Sequence, residues 1–149
     1  MDKAKKVLMD TVERAKDNPT IENMNLVLKA CEWIPKDFDP NPILLATEMF
    51  QATQSNSDVK PTPDTYTSML SVCIKHLTDD DPRKLKVMER TFQKCCEDGL
   101  CSPFAWKLFR SNIPTEEFNR IVGGMLSIPH SQKRIIRYSD LPHRWSINR

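Results

Sequence analysis

The sequence predicts an all-α fold, a short right-handed α-solenoid of stacked helix-turn-helix repeats with an extended carboxy-terminal tail. Three observations lead there. The 149 residues include only three glycines against eleven prolines. So few glycines disfavour the positive-φ turns of β-hairpins, whereas proline suits the first turn of a helix. Four of the prolines follow a capping residue: Asp39-Pro40, Thr62-Pro63, Asp81-Pro82 and Ser102-Pro103. Finally, the chain resembles itself when shifted by 42 positions, which places Val27 on Met69, Leu28 on Leu70, Cys31 on Cys73 and Phe50-Gln51 on Phe92-Gln93.

Each helix follows from local signals. Residues 1–17 carry the stripe Val7, Leu8 and Val12, and the shift of 42 aligns Ala4 with Ala46 and Leu8 with Phe50. This helix reads as the second half of a repeat. Thr20 caps the next helix, 21–34, whose apolar residues Met24, Val27, Leu28 and Cys31 fall at helical spacing. Asp39-Pro40 is expected to start a helix over 40–54, and Thr62-Pro63 one over 63–77 with the matching stripe Tyr66, Met69, Leu70 and Cys73. Asp81-Pro82 opens 82–98, which presents Val87, Met88, Thr91 and Phe92, and Ser102-Pro103 opens 103–111. A short helix near 115–125 completes the array. The expected units are a half repeat at 1–17, repeats at 21–62 and 63–102, and capping helices at 103–125. Residues 126–149 form a basic, mostly irregular tail, with Leu141 and Trp145 as anchors against the last helix.

Charge excludes little. The net charge is +2, but residues 131–149 hold five basic side chains against Asp140 alone. No apolar run reaches the roughly 18–20 residues of a membrane span, so no membrane partner is expected. The amphipathic amino terminus contains four acidic residues among its first seventeen. It does not read as a signal or transit peptide, so either targeting information is lacking or Met1 lies inside a longer natural chain.

Candidate chemistry is sparse. Five cysteines at irregular spacing suggest reduced thiols. Cys95, Cys96 and Cys101 supply one loose pair where a structural zinc site needs two, and His76, His130 and His143 are scattered. A pair of semi-buried thiols at a helix end is expected, with no metal and no cofactor. Cys73 and His76 are three residues apart, but Cys73 belongs to the repeated apolar stripe and nothing in the sequence orients the imidazole. With no glycine-rich phosphate loop and no HExxH motif, the chain reads as non-catalytic.

The stretch VKPTPDTYTSML, followed about 30 residues later by a helix ending CCEDGL, resembles the pentatricopeptide repeat, in the lengthened form seen in algal and diatom proteins. Pro61, Thr65-Tyr66-Thr67, Leu70 and Cys96-Glu97-Asp98-Gly99 follow the family's order, and IENMNLVLKAC is the earlier copy. The resemblance implies single-stranded RNA binding in a mitochondrion or plastid, in RNA processing, stability or translation, with about one nucleotide per repeat. It places base-reading side chains at Asn25, Thr62 and Thr67, Thr62 being the repeat-end partner of Asn25. Lys29, one turn beyond Asn25, and Lys75, two turns beyond Thr67, form an expected phosphate-facing row. Glu22 and Asp64 stand where the family commonly has an aliphatic residue that sandwiches the base. They point to the alternative, a protein-protein interaction scaffold that binds a peptide or helix on its concave face, with a protein partner or a longer repeat array.

Overall fold

The computed structural model describes residues 3–128 and 135–149. Seven α-helices follow in order: α1 (Lys3–Asp17), α2 (Ile21–Trp33), α3 (Pro42–Ser55), α4 (Pro63–His76), α5 (Pro82–Glu97), α6 (Pro103–Ser111) and α7 (Thr115–Met125). Two 3-10 turns, Tyr138–Asp140 and His143–Trp145, lie near the carboxy terminus. No strand occurs among the described residues, and none of their helices is long and apolar enough to cross a membrane. The protein is all-α.

The starts of the helices show how local chemistry acts. Thr20 accepts from the Asn23 N–H at 3.1 Å, Asp81 from Arg83 N–H at 2.9 Å, and Ser102 from Ala105 N–H at 3.1 Å. Each bond satisfies a donor that the first turn leaves unpaired. One start differs from expectation. α3 begins at Pro42 with Asn41 as its cap, the Asn41 carbonyl taking the Ile43 N–H at 3.0 Å. The segment Asp39-Pro40-Asn41-Pro42 holds two cap-proline pairs, and the second is used. Asp39 precedes a cis peptide bond, and its side chain is exposed and 3.8 Å from Lys5.

Each helix packs on the one after it from α1 through α6, α2 also packs on α4, and α4 on α6. The core is made of the periodic stripes. Leu8, Phe50 and Phe92, which stand 42 apart, are all buried, as are Cys31 and Cys73. Burial pushes both the Cys31 and Cys73 thiols up to about 12, so they behave as small apolar groups. Phe50 meets Tyr66 edge-on at 5.7 Å, and Phe92 stacks on Phe109 with ring centroids 4.2 Å apart. The buried Tyr66 ring keeps its hydroxyl satisfied by donating to the Asp98 carboxylate.

The end of α5 joins the array to the carboxy-terminal segment. Gly99 adopts φ 72°, and the Gly99 and Leu100 N–H groups return to the Cys96 and Cys95 carbonyls at 3.1 and 2.9 Å. A Cβ at Gly99 would also meet the Asn148 side chain at 2.9 Å and the Arg144 carbonyl oxygen at 3.0 Å. Here the chain needs glycine both for its backbone angle and for the close approach of the tail. Around it, the Cys101 N–H donates to Trp145 O and the Asn148 N–H to Gly99 O, both at 2.8 Å. Trp145 is buried edge-on against Phe92 of α5, while Leu141 is half-buried. The anchor was expected on the last helix; it lies on α5 because Gly99 opens a backbone gap there. Ile136 is a further buried anchor, and Lys133 and Arg134 lie outside the described residues.

Candidate functional site

Of the residues singled out in the sequence, Asn25 and Thr62 meet, at the seam between α2 and α4. The Asn25 amide donates to Thr62 Oγ1 at 3.0 Å, across 37 residues of sequence. Its carbonyl oxygen accepts the Thr65 hydroxyl at 2.7 Å, and Thr65 Oγ1 in turn takes the Thr62 N–H at 3.0 Å. Thr62 thus takes part in the capping box of α4 with Thr65 and, through the same hydroxyl oxygen, also receives the Asn25 amide of α2. Thr65 is buried, so its hydroxyl depends on this network for partners.

Asn25 has four hydrogen-bonding positions, two N–H donors and two carbonyl lone pairs. The seam uses one of each. One donor and one acceptor remain, the pair needed to read a base edge. Thr67, the equivalent of Asn25 one repeat later, is only 8% exposed. Its hydroxyl donates within α4 to the Pro63 and Asp64 carbonyls at 3.2 and 3.3 Å. Its lone pairs alone remain for a further contact.

Lys29 is exposed and Lys75 half-buried, and neither forms an ion pair among the described residues. Between them stands Glu32, which the sequence reading did not single out. Asn25, Lys29 and Glu32 follow one another at spacings of four and three, a single helix face. That spacing was the available signal. Burial raises the Glu32 carboxyl above its ordinary value, and a hydrogen bond to Ser68 and the charges of Lys29 and Lys75 pull it back. The face is therefore mixed in charge. Glu22 and Asp64 are both exposed beside it.

Nearby, His76 Nε2 lies 2.7 Å from the Cys31 carbonyl oxygen, tying the end of α4 to α2. At the other end of the array Cys95, Cys96 and Cys101 are all buried, where a semi-buried pair was expected. The thiols of Cys95 and Cys96 hydrogen-bond to Cys101, and these bonds, with burial, hold both well above the ordinary thiol range. Among the described residues, no group of three or more His, Cys, Asp or Glu side chains is arranged to hold a metal ion.

Compared with protein-family models, with curated proteins and with solved structures, the chain matches none. What the fold defines is a protein of consecutively packed α-helices with a polar seam between α2 and α4.

Proposed function

We propose that the chain is a non-catalytic helical-repeat protein, a short solenoid of the pentatricopeptide kind, that binds single-stranded RNA along the α2–α4 seam. The contact between Asn25 and Thr62 carries this reading. The resemblance pairs these two residues as the base-reading set of one repeat, and they lie in hydrogen-bond contact although 37 residues apart. The unused donor and acceptor on Asn25 supply the edge chemistry. Lys29 and Lys75 supply phosphate contacts on either side. The setting in a mitochondrion or plastid, and the role in RNA processing, stability or translation, rest on the resemblance.

Fluorescence anisotropy with labelled, mixed-sequence single-stranded RNA at two salt concentrations tests it. Binding weakens as salt rises, because lysine-phosphate contacts release counterions. Lys29→Ala/Lys75→Ala flattens the salt dependence, and Asn25→Ala/Thr67→Ala lowers affinity several-fold at either salt. Absence of binding at micromolar protein would sink RNA recognition by this chain.

A protein-binding scaffold is the second reading, and one observation favours it. In α4, Thr65, Ser68 and Lys75 meet Asn25 and Glu32 of α2. Their equivalents 42 residues earlier are Asn23, Leu26 and Trp33. On α2 this edge leaves Leu26 49% and Trp33 75% exposed. Such an edge suits a further helix laid against α2 as α2 lies against α4. Failure of RNA binding, together with partner binding that Trp33→Ala abolishes, would favour it.

A further inference from the structure

A cleft of about 340 Å³ opens where the turn between α4 and α5 meets the turn between α6 and α7. Asp79, Lys84 and Leu85 line one side, and Ser111, Asn112, Ile113 and Pro114 the other. Its volume falls at the lower end of the range for small-molecule sites, which combine apolar walls with a few placed polar groups.

Lys84 is the residue that stability alone explains poorly. It is 7% exposed, and lysine is almost never so buried unless paired. Its position is the third of α5, where the helix dipole favours a carboxylate and opposes an ammonium. Its partner among the described residues is Asp79, whose carboxylate lies 2.5 Å from Nζ but is 95% exposed. A carboxylate so fully solvated gives weak compensation for a buried charge. Breaking local preferences without a matching gain is the mark of a functional position.

The rest of the cleft suits an anion. An ammonium has three donors, and Asp79 occupies one. Ser111 adds a hydroxyl. The Asn112 amide gives one N–H to Leu108 O at 2.8 Å and keeps a second. Leu85, Ile113 and Pro114 provide apolar wall for the body of a ligand. Among the neighbouring acids, Asp81 is already neutralised by Arg83 at 2.8 Å, and Asp80 accepts the Thr78 hydroxyl at 2.5 Å. Asp79 is left as the gate. Being almost wholly in water, it leaves Lys84 at little cost when another anion arrives.

We propose that this cleft binds a small ligand through a phosphate or carboxylate group, with Lys84 as the charge partner and Asp79 as the competitor it displaces. The site is separate from the α2–α4 seam and stands whether or not RNA binds there.

Titration of the full chain with inorganic phosphate and, separately, with malonate, followed by amide NMR at ionic strength matched with sodium chloride, tests the assignment. The expected result is saturable shifts at residues 79–85 and 111–113 with at least one of the two probes. Phosphate alone would mark a phosphate ester or phosphate as the ligand group, and malonate alone a carboxylate. Lys84→Met keeps the apolar stem and abolishes saturation. Asp79→Asn removes the competitor and tightens binding roughly tenfold, in keeping with a close charge of like sign. An ion pair that merely clasps the turn predicts instead that Asp79→Asn leaves anion binding unchanged or weaker. That outcome overturns the proposal, as do shifts that never saturate or that persist in Lys84→Met. Should Lys84→Met fail to fold, the direction of the Asp79→Asn effect decides.

Discussion

His76 shows how one side chain couples the two repeats to pH. The Cys31 carbonyl can only accept, so the imidazole bonds it through a protonated Nε2, and Nδ1 is left buried with no partner among the described residues. Protonating Nδ1 would create a buried donor with nothing to receive it. Burial accordingly lowers the imidazole below its ordinary value of 6.5, the Cys31 bond offsets part of this, and Lys75 and Lys36 add to the lowering. The unfolded chain therefore binds more protons than the folded one across this window, and stability rises with pH there. We expect the urea midpoint to hold steady above about pH 6.5 and to fall as pH drops towards the lower folded value. His76→Gln, which does not titrate, should lose that part of the pH dependence. An unchanged slope in this variant would show that His76 is not the coupling group.

Helix starts are the scale at which the sequence is most and least legible. Thr20, Asp81 and Ser102 cap where their spacing to the next apolar stripe places them, because capping is a contact within three residues and needs no tertiary help. The stretch Asp39-Pro40-Asn41-Pro42 offers two cap-proline pairs, but a helix begun at Pro40 would need Asn41 in helical geometry directly before Pro42, where the ring disfavours it, so Asn41 stays extended and caps. This makes a sharp prediction. Asn41→Ala should cost about 1 kcal/mol in chemical denaturation. Asp39→Ala, which loses only an exposed 3.8 Å pair with Lys5, should stay within about 0.5 kcal/mol of the parent. A reversal of the two would restore Asp39 as the cap.

Across the whole molecule, the carboxy-terminal segment closes the far end of the array. Trp145 buries its ring against Phe92, which stacks in turn on Phe109, and both backbone bonds at Gly99 and Cys101 come from the tail. Tyr138 adds its hydroxyl to the Cys101 carbonyl at 2.8 Å. Truncating Trp145 to alanine should cost about 3–5 kcal/mol, the usual loss for a large buried aromatic. The same variant should leave the distant α2–α4 seam intact, so RNA anisotropy measured well below the melting temperature should not change. A loss of only a few tenths of a kcal/mol would mean that the tail merely rests on the surface.

By itself the sequence determined the order and approximate ends of the α-helices, the buried stripes and the repeat of 42, since each is written in contacts between residues three or four apart or in the recurrence of like residues. The pairing of Asn25 with Thr62 as candidates came from the resemblance to the pentatricopeptide repeat. Tertiary structure decided what those side chains touch. It joined Thr65 to Asn25, set Glu32 between Lys29 and Lys75, seated the tail on α5 and buried Lys84 beside a cleft between two turns. Each of these depends on residues far apart in the chain that meet only when the helices stack. A one-dimensional pattern records which face a residue occupies, and the packing of one helix on the next supplies its partner.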